Sequence, residues 1–179
     1  CMRLTFTTGI QDVEIPWRSS ITRSYVREQF NSQQSFDKLV TITFLNAGQS
    51  YVLDYDHDIG LGVFTGCYSL NLLTTCQGAD VTAFGNYCFY ECIGLTGTFS
   101  IPSSVTSIGG GCFNRCSGFT GTLTIPNSVT CVGEYCFERC TGFTGRLNIP
   151  ESITHLNKGT FSRCSGFNGS LNIPESITF

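Results

Sequence analysis

Charge is scarce in this chain, with ten Lys and Arg against thirteen Asp and Glu in 179 residues. Thr, Ser, Gly and Asn take the surface positions instead, and no basic run occurs. That argues against nucleic acid, whose phosphates are held by clustered Lys and Arg. Long apolar runs are missing too. No stretch reaches the roughly 18 apolar residues of a membrane-spanning helix, so no membrane insertion is expected. No signal peptide is visible.

Catalytic inventory is equally thin. The only histidines are His57 and His155. Gly-x-Ser-x-Gly, P-loop and dinucleotide fingerprints are absent, so no catalytic residue is assigned and the chain is not expected to be an enzyme. Cys131 and His155 stand 24 residues apart, at equivalent places of the repeat described next. They lack a third orienting group, without which a nucleophile is improbable. The C-x-x-C spacing of zinc sites is absent, and neither cofactor nor metal is expected.

What is present is a repeat. Ile-Pro-x-Ser-(Val/Ile)-Thr begins at Ile101, Ile125, Ile149 and Ile173, a spacing of 24 residues. A strict period of this length marks a solenoid, whose repeats pack mainly on their neighbours and build a long regular surface. Superposed copies give columns. Phe89, Phe113, Phe137 and Phe161 form one, and Cys92, Cys116, Cys140 and Cys164 follow three residues on. Leu95, Phe119, Phe143 and Phe167 come next, then Gly97, Gly121, Gly145 and Gly169, then Phe99, Leu123, Leu147 and Leu171.

These spacings predict local structure. Leu123-x-Ile125 alternates as a half-buried strand does, and Pro126 ends it for want of an N–H. Val129–Val132 reads as a second short strand. Gly133–Cys140 has the spacing of a short helical turn, and Gly142 and Gly145 turn the chain back. The fold class is therefore an α/β repeat, strand-rich with short helical turns. Regular repeats occupy residues 77–179, the last incomplete. Residues 1–76 read as degenerate repeats forming an N-terminal cap, since Phe64, Cys67 and Leu70 keep the Phe, Cys, Leu spacing. Val13-Glu14-Ile15-Pro16 also resembles Leu147-Asn148-Ile149-Pro150. The competing reading is a small separate β domain over residues 1–50. Cys1 precedes Met2, and the sequence stops inside an Ile-Pro motif. A ragged apolar face at the last repeat would call for more chain, a partner, or self-association through the array ends.

Eleven cysteines suggest a disulfide framework, but their placement favours buried thiols. Cys88, Cys112 and Cys136 form a column whose next member is Thr160, as expected of a small buried position. Vertical cross-links between strands about 4.8 Å apart remain the competing reading, and zinc a remote one.

Ile101-Pro102-Ser103-Ser104-Val105-Thr106-Ser107-Ile108-Gly109 and Phe113-Asn114-Arg115-Cys116 resemble the BspA-like leucine-rich repeats. The resemblance covers about residues 77–179. It implies a right-handed leucine-rich-repeat solenoid, at a cell surface or secreted, that adheres to proteins, cells or glycans. Similar repeats occur in bacterial, protist and phage proteins. The family supplies no catalytic motif and no fixed ligand positions.

The expected function is thus a non-enzymatic protein- or glycan-binding module. The alternative is a structural component, such as a virion decoration or fibre protein, or an intracellular scaffold in the cytoplasm. The candidate ligand-binding residues face outward on the first strand and differ between copies: Thr98 and Ser100, Thr122 and Thr124, Arg146 and Asn148, Ser170 and Asn172. Three other features compete with solvated surface. The Thr82, Thr106, Thr130, Thr154 and Thr178 column, beside Ser104, Ser128, Ser152 and Ser176, would make a hydroxyl ribbon, or simply pair across strands. Arg115, Arg139 and Arg163 make a row that would meet an acidic ligand. Asp54-Tyr55-Asp56-His57-Asp58-Ile59-Gly60 weakly resembles a calcium loop, with Gly one place late and Thr65 at the twelfth position.

Overall fold

The computed structural model describes residues 1–45, 48–97 and 99–178. The fold is strand-rich, with short strands, one six-residue α-helix and one 3-10 turn among the described residues. The N-terminal part is built on β1 (Met2–Phe6), which alternates inward Met2, Leu4 and Phe6 with outward neighbours. It pairs antiparallel with β2 (Val13–Ile15) and with β3 (Leu39–Phe44), and β3 pairs in parallel with β5 (Leu72–Thr75). Val13–Ile15 therefore joins an antiparallel ribbon.

Two further sheets are parallel throughout. One runs β4 (Ser50–Leu53), β6 (Asp80–Phe84), β7 (Ser107–Ile108), β8 (Cys131–Val132), with Ser107 opposite Cys131 and Ile108 opposite Val132. The other pairs β9 (Gly145–Asn148) with β10 (Phe167–Asn172), placing Leu147 opposite Leu171. The expected second strand at Val129–Val132 shrinks to Cys131–Val132, because Pro126 and the Val129 N–H that bonds its carbonyl at 3.1 Å form a turn first. The expected first strand at Leu123–Ile125 does not form: these residues belong to no strand, although Leu123 and Ile125 are buried and Thr124 is exposed.

The helix α1 (Arg23–Glu28) starts at Thr22, whose hydroxyl accepts from the Tyr25 N–H. It buries only Val26, so it is held mainly by polar anchors. The Arg23 guanidinium donates to the carbonyls of Val63 (3.1 Å) and Thr65 (2.8 Å) and lies 3.9 Å from the Phe36 ring.

The Phe column forms a stack. Phe64, Phe89, Phe113, Phe137 and Phe161 follow one another at 5.9, 5.4, 5.4 and 5.7 Å, with near-parallel planes. A second stack joins Phe119, Phe143 and Phe167 at 5.1 and 5.8 Å. Burial of each ring contributes about 1.5–3 kcal/mol, and each ring pair about 0.5–1.5 kcal/mol more. One hydrophobic cluster runs from Met2 to Ile177.

Opposite the strands, Gly133–Cys140 is a chain of single turns rather than a helical turn. Glu138 N–H bonds Tyr135 and Cys140 N–H bonds Phe137, each at 3.2 Å, while the intervening N–H groups reach the next repeat. Tyr135, Phe137 and Arg139 donate to the carbonyls of Lys158, Thr160 and Ser162 at 2.8–2.9 Å. A continuous helix would turn those donors inward and forfeit the bonds between repeats. The alternation needs positive φ at two places four residues apart in each repeat: Tyr87 and Glu91 in one, Tyr135 and Arg139 in another, with Arg115 and Arg163 at the second place of the others, all at 56–62°. Gly111 and Gly159 occupy the same register, under the Tyr87 and Tyr135 rings, where a Cβ would collide.

The glycine column to which Gly142 belongs also matters. A Cβ on Gly94, Gly118, Gly142 or Gly166 would strike a backbone carbonyl of the preceding repeat, for Gly94 that of Tyr68 at 2.7 Å. Close stacking of the turns depends on those four positions.

Candidate binding surface

The residues singled out for the outward stripe lie partly on strands, at Arg146, Asn148, Ser170 and Asn172, and partly on unladdered chain, at Ser100, Thr122 and Thr124. Ser100, Thr122, Thr124, Arg146, Asn148, Ser170 and Asn172 are all exposed; Thr98 lies outside the described residues. The stripe is ordered by contacts between repeats: Arg146 Nε donates to Ser170 Oγ at 3.1 Å, and Asn168 Oδ1 accepts from Gly145 N–H at 2.9 Å. Beside Ser100, Thr122 and Thr124 a cleft of about 280 Å³ opens into the core, floored by Phe113, Phe119, Phe137 and Phe143. The sequence carries one signal for it: Phe99 stands where the other copies have Leu123, Leu147 and Leu171.

The Thr column is a structural device. Thr106, Thr130 and Thr178 donate both N–H and hydroxyl to the carbonyls of Thr82, Thr106 and Thr154 respectively. The hydroxyls thus bond backbone rather than pairing with one another. In the Ser column, Ser104 and Ser176 bond the carbonyls of Val81 and Ile153 at 2.8 and 3.0 Å, and all four residues are half-buried. No flat hydroxyl ribbon is offered to a ligand there.

One member of the Arg row is paired: Arg115 lies 3.5 Å from Glu91 of the preceding repeat, while Glu138 accepts from the Asn114 amide at 3.5 Å. An exposed pair of this kind contributes about 0–1 kcal/mol.

The Asp-rich loop is a turn. Asp56 is buried, and its carboxylate accepts from the N–H groups of Asp58 (3.1 Å), Ile59 (3.3 Å) and Ser24 (2.9 Å). Hydrogen bonds from Ser24 above all, then from Ile59 and Asp58, hold its carboxyl below the usual carboxylate range. Asp56 ties the loop to the start of α1, so the calcium-like pattern is accounted for by backbone capping.

Cys131 and His155 are both exposed, and the His155 ring is hydrogen-bonded to the Thr154 hydroxyl at 3.1 Å. The eleven cysteines are free thiols. Cys92, Cys116, Cys140 and Cys164 donate to the carbonyls of Phe64, Phe89, Phe113 and Phe137 at 3.0–3.2 Å. The column is thus a ladder of weak donors facing the preceding repeat. Burial pushes the thiols of Cys67, Cys112, Cys116 and Cys136 well above the ordinary value, and that of Cys164 up to about 11.

With this geometry in hand, the chain belongs to the BspA-type leucine-rich repeat family: that family's model matches residues 82–179 with six copies. The family is one of non-enzymatic repeat modules, commonly concerned with binding. Two solved bacterial proteins share the fold. A leucine-rich repeat protein of T. pallidum is 22% identical with a TM-score of 0.55, over 77% of this chain and 65% of that one. A leucine-rich repeat protein of Bacteroides ovatus is 20% identical with a TM-score of 0.58, over 97% of this chain and 45% of that one. The chain thus spans less than two thirds of either relative. No curated protein matches it in sequence. Among the described residues no helix is long and apolar enough to cross a membrane.

Proposed function

We propose that this chain is a non-enzymatic recognition module that binds a protein or glycan on its strand face, at a cell surface or after secretion. The carrying observation is the exposed stripe of Ser100, Thr122, Thr124, Arg146, Asn148, Ser170 and Asn172, whose chemistry changes from repeat to repeat on a stacked backbone. Thr98 belongs to the same stripe in the sequence. A preformed surface loses little entropy on binding, and an array suits weak multivalent adhesion. This reading takes the repeats as a 24-residue solenoid, with residues 1–76 as degenerate repeats that cap its N-terminal end. The test is a glycan microarray and an immobilised-protein panel probed with the full chain. Any ligand found should be lost in the triple variant Thr124→Asp, Asn148→Asp, Asn172→Asp, with the melting temperature unchanged. Undiminished binding by that variant would remove the strand face from consideration.

A further inference from the structure

A cleft of about 610 Å³ lies on the N-terminal part, where α1 meets the turn that carries Thr65, Gly66 and Tyr68. It shares no residue with the exposed stripe, and its volume falls in the range of small-molecule pockets, roughly 300–1,000 Å³. Arg23 and Arg27, one turn apart on α1, both line it. Like charges at this spacing repel. Neither forms an ion pair among the described residues, where the pairs are Arg3 with Glu14 and Arg115 with Glu91. Burial above all lowers the Arg23 pKa, and the Arg27 charge lowers it further. Two cations are thus held together beside an open cleft with no carboxylate in contact.

The Arg23 guanidinium is fixed but only half used. Its Nη1 donates to the Val63 and Thr65 carbonyls at 3.1 and 2.8 Å, and its central carbon stands 3.9 Å from the centre of the Phe36 ring. Nη1 has two N–H groups, so both are engaged, while Nε and Nη2 have no partner among the described residues. Neither of those atoms is buried, so that edge of the fork is open to solvent. A planar fork with one edge free matches the two oxygens of a carboxylate. Its rotamer is already set, so little side-chain entropy would be lost on binding.

The Ser35 hydroxyl is a second, independent sign. It lines the same cleft, is buried, and has no hydrogen-bond partner. Ser35 stands at the N-cap of the 3-10 turn Phe36–Lys38, yet its side chain makes no capping bond. Buried hydroxyls are nearly always paired, so one without a partner calls for an explanation, and a bound ligand supplies it. Charge selects the anion. Arg23, Arg27 and Asp37 are the charged residues of the lining, which therefore carries one net positive charge. That balances a carboxylate, whereas a phosphate monoester brings about −1.5 to −2. Tyr68, 50% exposed, and the half-buried Phe30 wall the remaining space, which has room for an uncharged body behind the carboxylate.

We propose that this cleft binds a small monocarboxylate, whose carboxylate bridges the free edge of Arg23 and the guanidinium of Arg27. By chemistry the ligand is a simple organic acid or an acidic sugar. The proposal does not depend on the strand-face reading, and its failure would leave that reading untouched.

The test is an NMR titration of the full, isotope-labelled chain at constant ionic strength, read on backbone amide and arginine Nε–Hε signals. The probes are sodium acetate, sodium D-glucuronate, methyl β-D-glucopyranoside and inorganic phosphate. Glucuronate should shift the Arg23 Nε–Hε and Ser35 amide signals saturably. Acetate binding as tightly would assign the site to a simple organic acid, and weaker acetate binding to an acidic sugar. The uncharged glucoside should shift neither signal, and phosphate should bind more weakly than glucuronate. Arg27 is exposed and makes no side-chain hydrogen bond among the described residues. Arg27→Gln should therefore keep the melting temperature while weakening glucuronate by about tenfold or more, and Arg27→Lys, which keeps the charge, should lose less. Ser35→Ala should also weaken it without lowering the melting temperature, because the hydroxyl has no protein partner to lose. No saturable shift from either carboxylate, tighter binding of phosphate, equal binding of the glucoside, or unchanged affinity in Arg27→Gln overturns the site.

Discussion

The thiol of Cys116 donates to the carbonyl of Phe89, in the preceding repeat, at 3.1 Å. The same carbonyl accepts from the Cys92 N–H at 3.1 Å, so the thiol supplies its second bond. Cys116→Ala leaves the carbonyl with one partner and should cost about 1 kcal/mol. Cys116→Ser keeps a donor of nearly the same size and should cost no more than that. A urea midpoint measured for both variants checks the order. A loss of several kcal/mol from the alanine change would mean the thiol carries more than one weak bond.

Alkaline pH should unfold this protein early. A thiol whose pKa is higher folded than unfolded stabilises the fold fully below the ordinary thiol value of about 8.5. That contribution is lost as pH rises through the folded value, about 11 for Cys164, while burial pushes the thiols of Cys112, Cys116 and Cys136 well above the ordinary value. The urea midpoint should stay level between about pH 6 and 8 and fall steadily above about 8.5. A level midpoint to pH 11 would contradict the buried ladder.

Alkylation of the native protein should follow burial. With iodoacetamide near pH 8, about half a unit below the ordinary thiol pKa, Cys131 should label first, because it is exposed. Cys1, Cys76 and Cys164 are half-buried and should follow. The seven buried thiols should label only on unfolding. Peptide mass mapping over time gives the order directly.

Phe113 is wholly buried between Phe89 and Phe137, so Phe113→Ala removes two stacked contacts at once. Its cost should be about 3–5 kcal/mol in denaturant. Phe161 is only partly buried, so Phe161→Ala should cost clearly less.

Backbone conformation makes an opposing pair. Arg139 sits at φ 60°, a region that costs a residue other than glycine about 1–2 kcal/mol. Arg139→Gly relieves that strain, less about 0.5–1 kcal/mol of added unfolded-state entropy, and should raise the midpoint slightly. Gly142→Ala instead drives a methyl group into the Phe119 carbonyl and should lower stability by about 1–3 kcal/mol.

Periodicity made the buried columns legible, since a residue that recurs at one place in every copy meets its own kind above and below. The Phe and Cys columns follow from that, whereas the strand that Pro126 was expected to end does not form. The turns were less legible. Cys136, Phe137 and Cys140 are spaced as on a helix, and only the N–H groups reaching Lys158, Thr160 and Ser162 show why the backbone abandons one. Asp56 looked like a cation ligand because its spacing is silent about the backbone donors that fold around it.

The sequence alone therefore determined the repeat, its family, the inward columns and the outward stripe, because these depend on which residues recur and how far apart. The tertiary structure decided where neighbouring repeats bond and where they part. Phe99 stands where the later copies carry leucine, and only the packed structure sets its ring 5.6 Å from both Phe113 and Phe119. Hydrogen bonds between repeats and the shape of a gap are properties of pairs of segments, and no single copy of the repeat contains them.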